Sequence, residues 1–598
     1  MKRLFFSVLL LLGLAAAAWA AGPASDARFL EIDIQYRLQA DGSWDMEYRH
    51  QVRLDTYFAV NRALGETFIV INPEFQKLEV LKSETTMANG RKVASPDNAF
   101  NEVLPFAAHE FADFAHLREM VVTHTGLERG ALVDLHYRIH TRPGLLPVFS
   151  GREALNRNFP IDRYRLAITV PAGSELRAQV FNAPARVEAS GSGAERCHAL
   201  ELKAIAAAAH EPLAPAQAEP FIIFSCAADW TQALAWKDGP AVLPAAPAAM
   251  VDRLKNEFPA QSDLLAALQR AVAVDMRLCA LGSDKAGWQP RPLERVFTSH
   301  YGTRLEKALL LRAMLEHAGI SADLLGVAGG GSFSADVPTP LQLDEFWLAV
   351  GEGPHRLFLD PGHEQHEFFP YERTGAAAYN FRRREMEQMP PADWNRNGVD
   401  IAGTVQLDAA AASGTLVVTV RGAFQRYNEA AENGGAFISG LLRKIFPLEK
   451  AEIKKLLALT RREMRAEVTF SGKWLKETGA GFHRVEACRL PGLDENMVQL
   501  PQRELPLALA APFKVSIELE LRPAPGLSLD YSAPDVEVTN ETGYFVRRHE
   551  KQKNGPIRFS QTCAIKDTPV PAAWYPRLRE LLRPCFTPGS WLVFREGK

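Results

Sequence analysis

Apolar and polar residues alternate over the first third of the chain. Leu30, Ile32, Ile34, Tyr36 and Leu38 are followed, beyond an Asp41-Gly42 turn, by Trp44, Met46 and Tyr48. Val133, Leu135, Tyr137 and Ile139 repeat the period of two, as do Tyr164, Leu166, Ile168 and Val170. Such alternation, punctuated by turn residues, predicts half-buried strands, so residues 25–236 are expected to form a β-sandwich. Lys237 to Met250, rich in Pro and Ala, reads as a linker before helical sequence that begins near Val251. From Thr303 the period lengthens: Leu305, Ala308, Leu309, Leu311, Leu315 and Ala318 form a helical stripe that Gly319 stops. Thr303 and Glu306 supply a Thr-x-x-Glu capping box, which places Arg304 in the first turn. Alternation returns at Thr415 to Val420 and at Phe513, Val515, Ile517, Leu519 and Leu521, with a helical insert expected around Ala436 to Met464. The pattern predicts an α+β multi-domain protein: an N-terminal β-sandwich, a central α+β domain over 251–372, and a C-terminal β-sandwich over 390–598.

Composition narrows the class. A chain of 598 residues with 47% hydrophobic positions can bury several cores. A formal net charge of -3 gives no electrostatic reason to expect nucleic acid as a partner. Residues 1–20 read as a signal peptide: Lys2 and Arg3 precede an apolar run from Leu4 to Ala17 and an Ala18-Trp19-Ala20 cleavage site. Export to the periplasm or beyond follows as an expectation, with no integral membrane segment after cleavage. Export permits disulfides among Cys197, Cys226, Cys279, Cys488, Cys563 and Cys585, and Cys563 with Cys585 could close a terminal loop. Their spacing matches no zinc pattern, and a buried apolar role is expected for several, Cys279 included.

Three smaller signals carry a bland reading beside a chemical one. Asp393, Asn395, Asn397, Gly398 and Asp400 resemble the first half of a calcium loop, but Thr404 stands where a bidentate glutamate is needed, so a polar turn is expected. His363 and His366 in His363-Glu364-Gln365-His366-Glu367 could contribute to a zinc site, but the spacing is not His-Glu-x-x-His and a solvated loop is expected. Gly329-Gly330-Gly331-Ser332 lacks the lysine and helix of a phosphate loop. Neither a metal nor a cofactor is expected.

The segment Tyr301-Gly302-Thr303-Arg304-Leu305-Glu306-Lys307-Ala308-Leu309-Leu310-Leu311 resembles the nucleophile segment of transglutaminase-like proteins, in which bacterial members read Tyr-Gly-Asp-Cys-Lys-Asp-Lys-Ala-Leu-Leu-Leu. Gly287-Trp288-Gln289-Pro290-Arg291-Pro292 resembles the approach to that segment, and Leu357-Phe358-Leu359-Asp360-Pro361 the strand ending in the catalytic aspartate. Leu343-Asp344-Glu345-Phe346-Trp347 resembles the histidine strand, with Glu345 at the histidine position. Asn72-Pro73-Glu74-Phe75, Ser95-Pro96-Asp97-Asn98 and Leu117-Arg118-Glu119 resemble the domain of unknown function that precedes such cores in exported bacterial proteins. The resemblance implies a papain/transglutaminase-like α+β core whose cysteine and histidine positions hold Arg304 and Glu345, only Asp360 being retained. Arginine stays protonated and cannot act as a nucleophile. The family's cysteine and histidine face one another, so an Arg304-Glu345 ion pair is expected, with Asp360 accepting a second bond from the guanidinium.

Two functions are compatible with this reading. One is a catalytically inactive module that binds peptide, protein or peptidoglycan-type ligands in a groove walled by Trp288 and Trp347. The other is a hydrolase or amide-directed enzyme of altered mechanism, using an unmatched cysteine, a carboxylate or a metal.

Overall fold

The computed structural model describes residues 25–191, 193–215, 217–235, 242–329, 332–364, 367–485, 488–551, 555–586 and 592–597. The expected signal peptide lies outside these residues, as do Gly330, Gly331 and His366. The architecture is α+β and multi-domain. No helix among the described residues is long and apolar enough to cross a membrane.

The N-terminal region is built on an eight-stranded sheet whose middle pairs Ala27–Leu38 with Trp44–Leu54 on one side and, in parallel, with Ile161–Pro171 on the other. Two three-stranded sheets complete the layers: Phe221–Ser225 between Arg177–Phe181 and Ser150–Ala154, and Arg118–Thr123 between Glu66–Ile71 and Phe100–Val103. Alternation places Tyr164, Leu166, Ile168 and Val170 in the core. Leu30 breaks the expected set, because a register shift between Phe29 and Glu31 moves Phe29 inward in its place.

The central region has helices Ala245–Glu257, Gln261–Ala273, Leu293–Ser299 and Arg304–His317 beside an antiparallel sheet. Its strand order is Leu357–Leu359, Leu343–Val350, Ala322–Ala328, Ala377–Asn380, Glu385–Gln388. Two sequence-based boundaries shift here. Helix begins at Ala245 inside the expected linker, because Pro247 lies in the first turn, where no intrahelical N–H is required. The sheet continues beyond 372 through the short hairpin Ala377–Asn380 and Glu385–Gln388, whose four-residue strands are too brief to show periodicity. The N-terminal and central regions share one apolar core, in which Ile32, Ile34, Phe149 and Phe224 join Trp288, Leu310, Met314 and Phe346.

The C-terminal region has its own core around an eight-stranded sheet, with Gly398–Leu407 and Phe513–Pro523 paired in parallel at its centre. A second sheet joins Leu475–Gly479, Phe482–Val485, Leu592–Glu596 and Leu527–Ser532. The helical insert differs from expectation: helix spans Tyr427–Ile445, and Leu448–Leu459 is an edge strand paired with Glu463–Gly472. Its Lys, Glu and Leu residues favour helix, but pairing across three register shifts overrides that preference.

Candidate functional site

The Arg304–His317 helix starts as its sequence dictates. Thr303 caps it by accepting from the Glu306 amide at 3.3 Å, and the Glu306 carboxylate accepts from the Thr303 amide at 2.8 Å. Glu306 is also a fork partner, because Arg291 donates to both of its oxygens at 2.9 Å. Arg291 reaches on to Asp113 of the N-terminal region, which also accepts from Arg295 and from the Tyr301 hydroxyl at 2.8 Å. The guanidinium lies over the rings of Tyr301 and Phe114, 4.6 and 5.1 Å from their centroids. Nothing in the sequence ties Asp113 to a site more than 170 residues later; Arg291, set between two prolines, was visible only as part of a motif.

The three positions that the sequence resemblance matches to a catalytic triad, Arg304, Glu345 and Asp360, converge. Arg304 Nη1 donates to Glu345 Oε1 at 3.4 Å. Glu345 is better served from elsewhere: Arg373 donates through Nε to Oε2 at 2.7 Å and through Nη2 to Oε1, and Trp347 Nε1 donates to Oε2 at 3.0 Å. Burial pushes the Glu345 carboxyl upward, but the Arg373 bonds and charge, with Trp347 and Arg304, outweigh it and hold the group below its ordinary range. Arg373, in a short turn after Pro370, is the partner that sequence reasoning missed.

Asp360 takes a different part from the one expected. Its Oδ1 accepts from the Gly362 amide at 2.6 Å, and its Oδ2 lies 3.1 Å from His363 Nδ1, raising that imidazole's pKa. Arg373 thus supplies Glu345's main ion pair, while the nearby aspartate orders the loop behind it. Gly362 sits between the two charges: a Cβ there would meet Asp360 Oδ1 at 3.1 Å and Arg304 Nη1 at 3.9 Å. One turn along the helix, fully buried Lys307 donates to the Met276 carbonyl at 2.8 Å, and desolvation lowers its pKa to about 8.

Beside these groups lies a cavity of about 1190 Å³ between the N-terminal and central regions. Trp288 and Phe346 line it together, their ring centroids 5.9 Å apart. Trp347 does not line this cavity. Alternation puts it with Glu345 on the opposite sheet face from Phe346, where it packs with Leu325, Val327 and Phe358. Of Arg304, Glu345 and Asp360, Arg304 alone reaches the cavity wall.

The other candidate chemistry is committed to structure. Cys279 is fully buried against Ala108, Phe111 and Phe114, and desolvation raises its thiol to about 11. Desolvation likewise raises Cys226 and Cys488, each to about 12. All six cysteines are free thiols. Its hydrogen bond with Cys585 and its burial hold the Cys563 thiol well above the ordinary value. In the calcium-like segment, Asp393 caps a turn, Asn397 bonds Ala423 and Pro512, and Asp400 bonds Arg421 and Ser516. Glu364, from the zinc-like segment, bonds Asn428 and lies 3.4 Å from Arg270.

Residues 40–209 match the family DUF3857, a domain of unknown function with a solved structure. No curated protein matches the chain by sequence. Among solved structures, a protein of Parabacteroides distasonis, provisionally described as a protease, superposes with a TM-score of 0.72 at 22% identity, covering 95% of this chain and 99% of that one. That likeness establishes a shared fold across nearly the whole length. The periplasmic domain of TgpA from Pseudomonas aeruginosa (TM-score 0.17, 16% identity, 38% of this chain and 76% of that one) and an M1 zinc metallopeptidase from Deinococcus radiodurans (0.19, 11%, 39% and 53%) superpose too poorly to bear weight.

Proposed function

We propose that the central region is a transglutaminase-like core that has lost its chemistry, and that the exported protein serves at the cell envelope as a module that binds or scaffolds peptide or peptidoglycan-type ligands. The observation that carries this reading is the ion pair between Arg304, at the first position of the helix, and Glu345 on the strand facing it. A transglutaminase-like mechanism needs a thiolate and an imidazole at those positions, and a guanidinium at the first of them supplies no nucleophile. Glu345, held ionised by Arg373, is a weak general base. Burial raises the thiols of Cys226, Cys279 and Cys488, the reverse of an activated nucleophile, which counts against a displaced cysteine.

The test is turnover of glutamine-containing peptides by the purified protein, read as released ammonia and as amine incorporation, before and after treatment with iodoacetamide. No turnover above buffer is expected in either state. Turnover that alkylation abolishes would overturn the proposal.

A further inference from the structure

We infer that the cavity between the N-terminal and central regions takes an extended peptide, which pairs with the free edge of strand Ser150–Ala154 and places a carboxylate against Arg304. The inference rests on the non-catalytic binding role proposed above and gives it a ligand chemistry.

The edge comes from topology. Ser150–Ala154 is the outer strand of its three-stranded sheet, paired on one side only with Phe221–Ser225. The flanking bonds, Leu155 amide to Pro220 carbonyl and Cys226 amide to Phe149 carbonyl, fix which groups point inward. In an antiparallel ladder the odd-numbered residues here exchange bonds with the neighbouring strand, and the intervening Arg152 turns its main-chain N–H and C=O outward. Neither group has a hydrogen-bond partner among the described residues. Ser150, Gly151, Arg152 and Glu153 all line the cavity, so this edge borders the space a ligand would fill. A strand edge with unspent main-chain groups is the surface on which an extended peptide can add as a further strand.

The carboxylate position comes from charge. Arg304, Arg373 and Lys307 face two carboxylates, Glu345 and Asp360, with His363 beside them. Glu345 spends its closer bonds on Arg373, and Asp360 faces the Gly362 amide and His363. Arg304 makes one hydrogen bond among the described residues, from Nη1, and a third of its side chain is exposed. Most of its five donors therefore have no protein partner among the described residues. None of the six carboxylates lining the cavity bonds Arg304 among the described residues: Glu74 lies 3.9 Å from His116 and Asp284 3.5 Å from Lys285. Asp113 is held by Arg291 and Arg295, Glu306 by Arg291, Asp344 by Gln217, and Glu153 by the Tyr36 hydroxyl at 2.6 Å. Trp288 and Phe346 offer an apolar wall of the same cavity for a ligand's side chains.

Binding to the full-length protein is measured by fluorescence anisotropy with three pools of N-labelled hexapeptides made from Ala, Leu, Phe, Ser and Gln. One pool has a free C-terminus, one is amidated, and one is amidated but carries a single Glu. The free-terminus pool, the Glu pool or both should bind about ten-fold or more tightly than the amidated neutral pool, and their difference identifies a terminal or a side-chain carboxylate. Arg304→Gln should erase the discrimination and Arg304→Lys should keep part of it. Methylating the backbone amides of the preferred pool should weaken binding. Equal binding of all pools, binding by none, unchanged discrimination in Arg304→Gln, or indifference to amide methylation would overturn the inference. The pool comparison uses the unaltered protein, so it stands even where a variant folds poorly. Thiol-dependent turnover would sink the non-catalytic proposal without altering this discrimination, so the two failures are distinguishable.

Discussion

Glu345 is the residue that ties the Arg304 cluster together, because it faces two arginines and an indole N–H from a buried position. Removing it leaves guanidinium charge unpaired. Glu345→Ala should therefore cost about 3 to 5 kcal/mol in denaturant unfolding. Arg373→Ala should cost more than Arg304→Ala, since Arg373 makes the closer, two-pronged contact and is the less exposed. A second residue-scale expectation concerns pH. His124 lies between Thr67 Oγ1 at 3.0 Å and Ser83 Oγ at 3.3 Å, and desolvation lowers its pKa from 6.5 to about 4. The unfolded chain then takes up this proton near pH 6.5, while the folded chain refuses it until about 4, so His124's contribution is intact above that window and is lost as pH falls through it. Unfolding free energies from pH 7 to 4 should fall less steeply in His124→Gln than in the unaltered protein; parallel profiles would refute the assignment. The Arg304-Glu345 contact was legible from two motifs and the facing geometry they imply. Arg373 was not, because a cation in a turn carries no periodic signal until the fold brings it home.

At the scale of elements, the Arg304 helix is held at its start by two separable devices. Thr303→Ala removes a cap and should cost about 1 kcal/mol. Glu306→Gln keeps the shape but removes the charge that Arg291 grips, so it should destabilise more and also loosen contact with the N-terminal region. Limited proteolysis between residues 226 and 260 would read that loosening, with faster cleavage in Glu306→Gln than in Thr303→Ala. The capping box, the helical stripe and the long alternating strands were plain in the sequence because each is a local pattern. The elements that were misplaced are those where tertiary pairing decides. Leu448–Leu459 is an edge strand written in helix-favouring residues, and the hairpin from Ala377 to Gln388 is too short to show a period. Trp347 was placed on the wrong side of the site because the motif gave its position along the strand, whereas the face follows from register with Ala322–Ala328.

Across the whole molecule, the N-terminal and central regions share a core and enclose the cavity, so a ligand bound there would touch both the region that matches DUF3857 and the proposed transglutaminase-like core. Arg304 and Glu345 would then stand at the nucleophile and base positions of that core. Their chemistry can be put back. The measurement is the rate of iodoacetamide alkylation at pH 7, by peptide mass spectrometry, of the thiol introduced in Arg304→Cys alone and in combination with Glu345→His or Glu345→Gln. Opposite a carboxylate the introduced thiol should stay protonated and react slowly, and opposite an imidazole it should form a thiolate and react about ten-fold faster or more. The Glu345→Gln combination, which removes the carboxylate without supplying an imidazole, should fall between them. Equal rates in the Glu345→His and Glu345→Gln combinations would mean that the two positions do not act on each other as nucleophile and base, and would contradict the account.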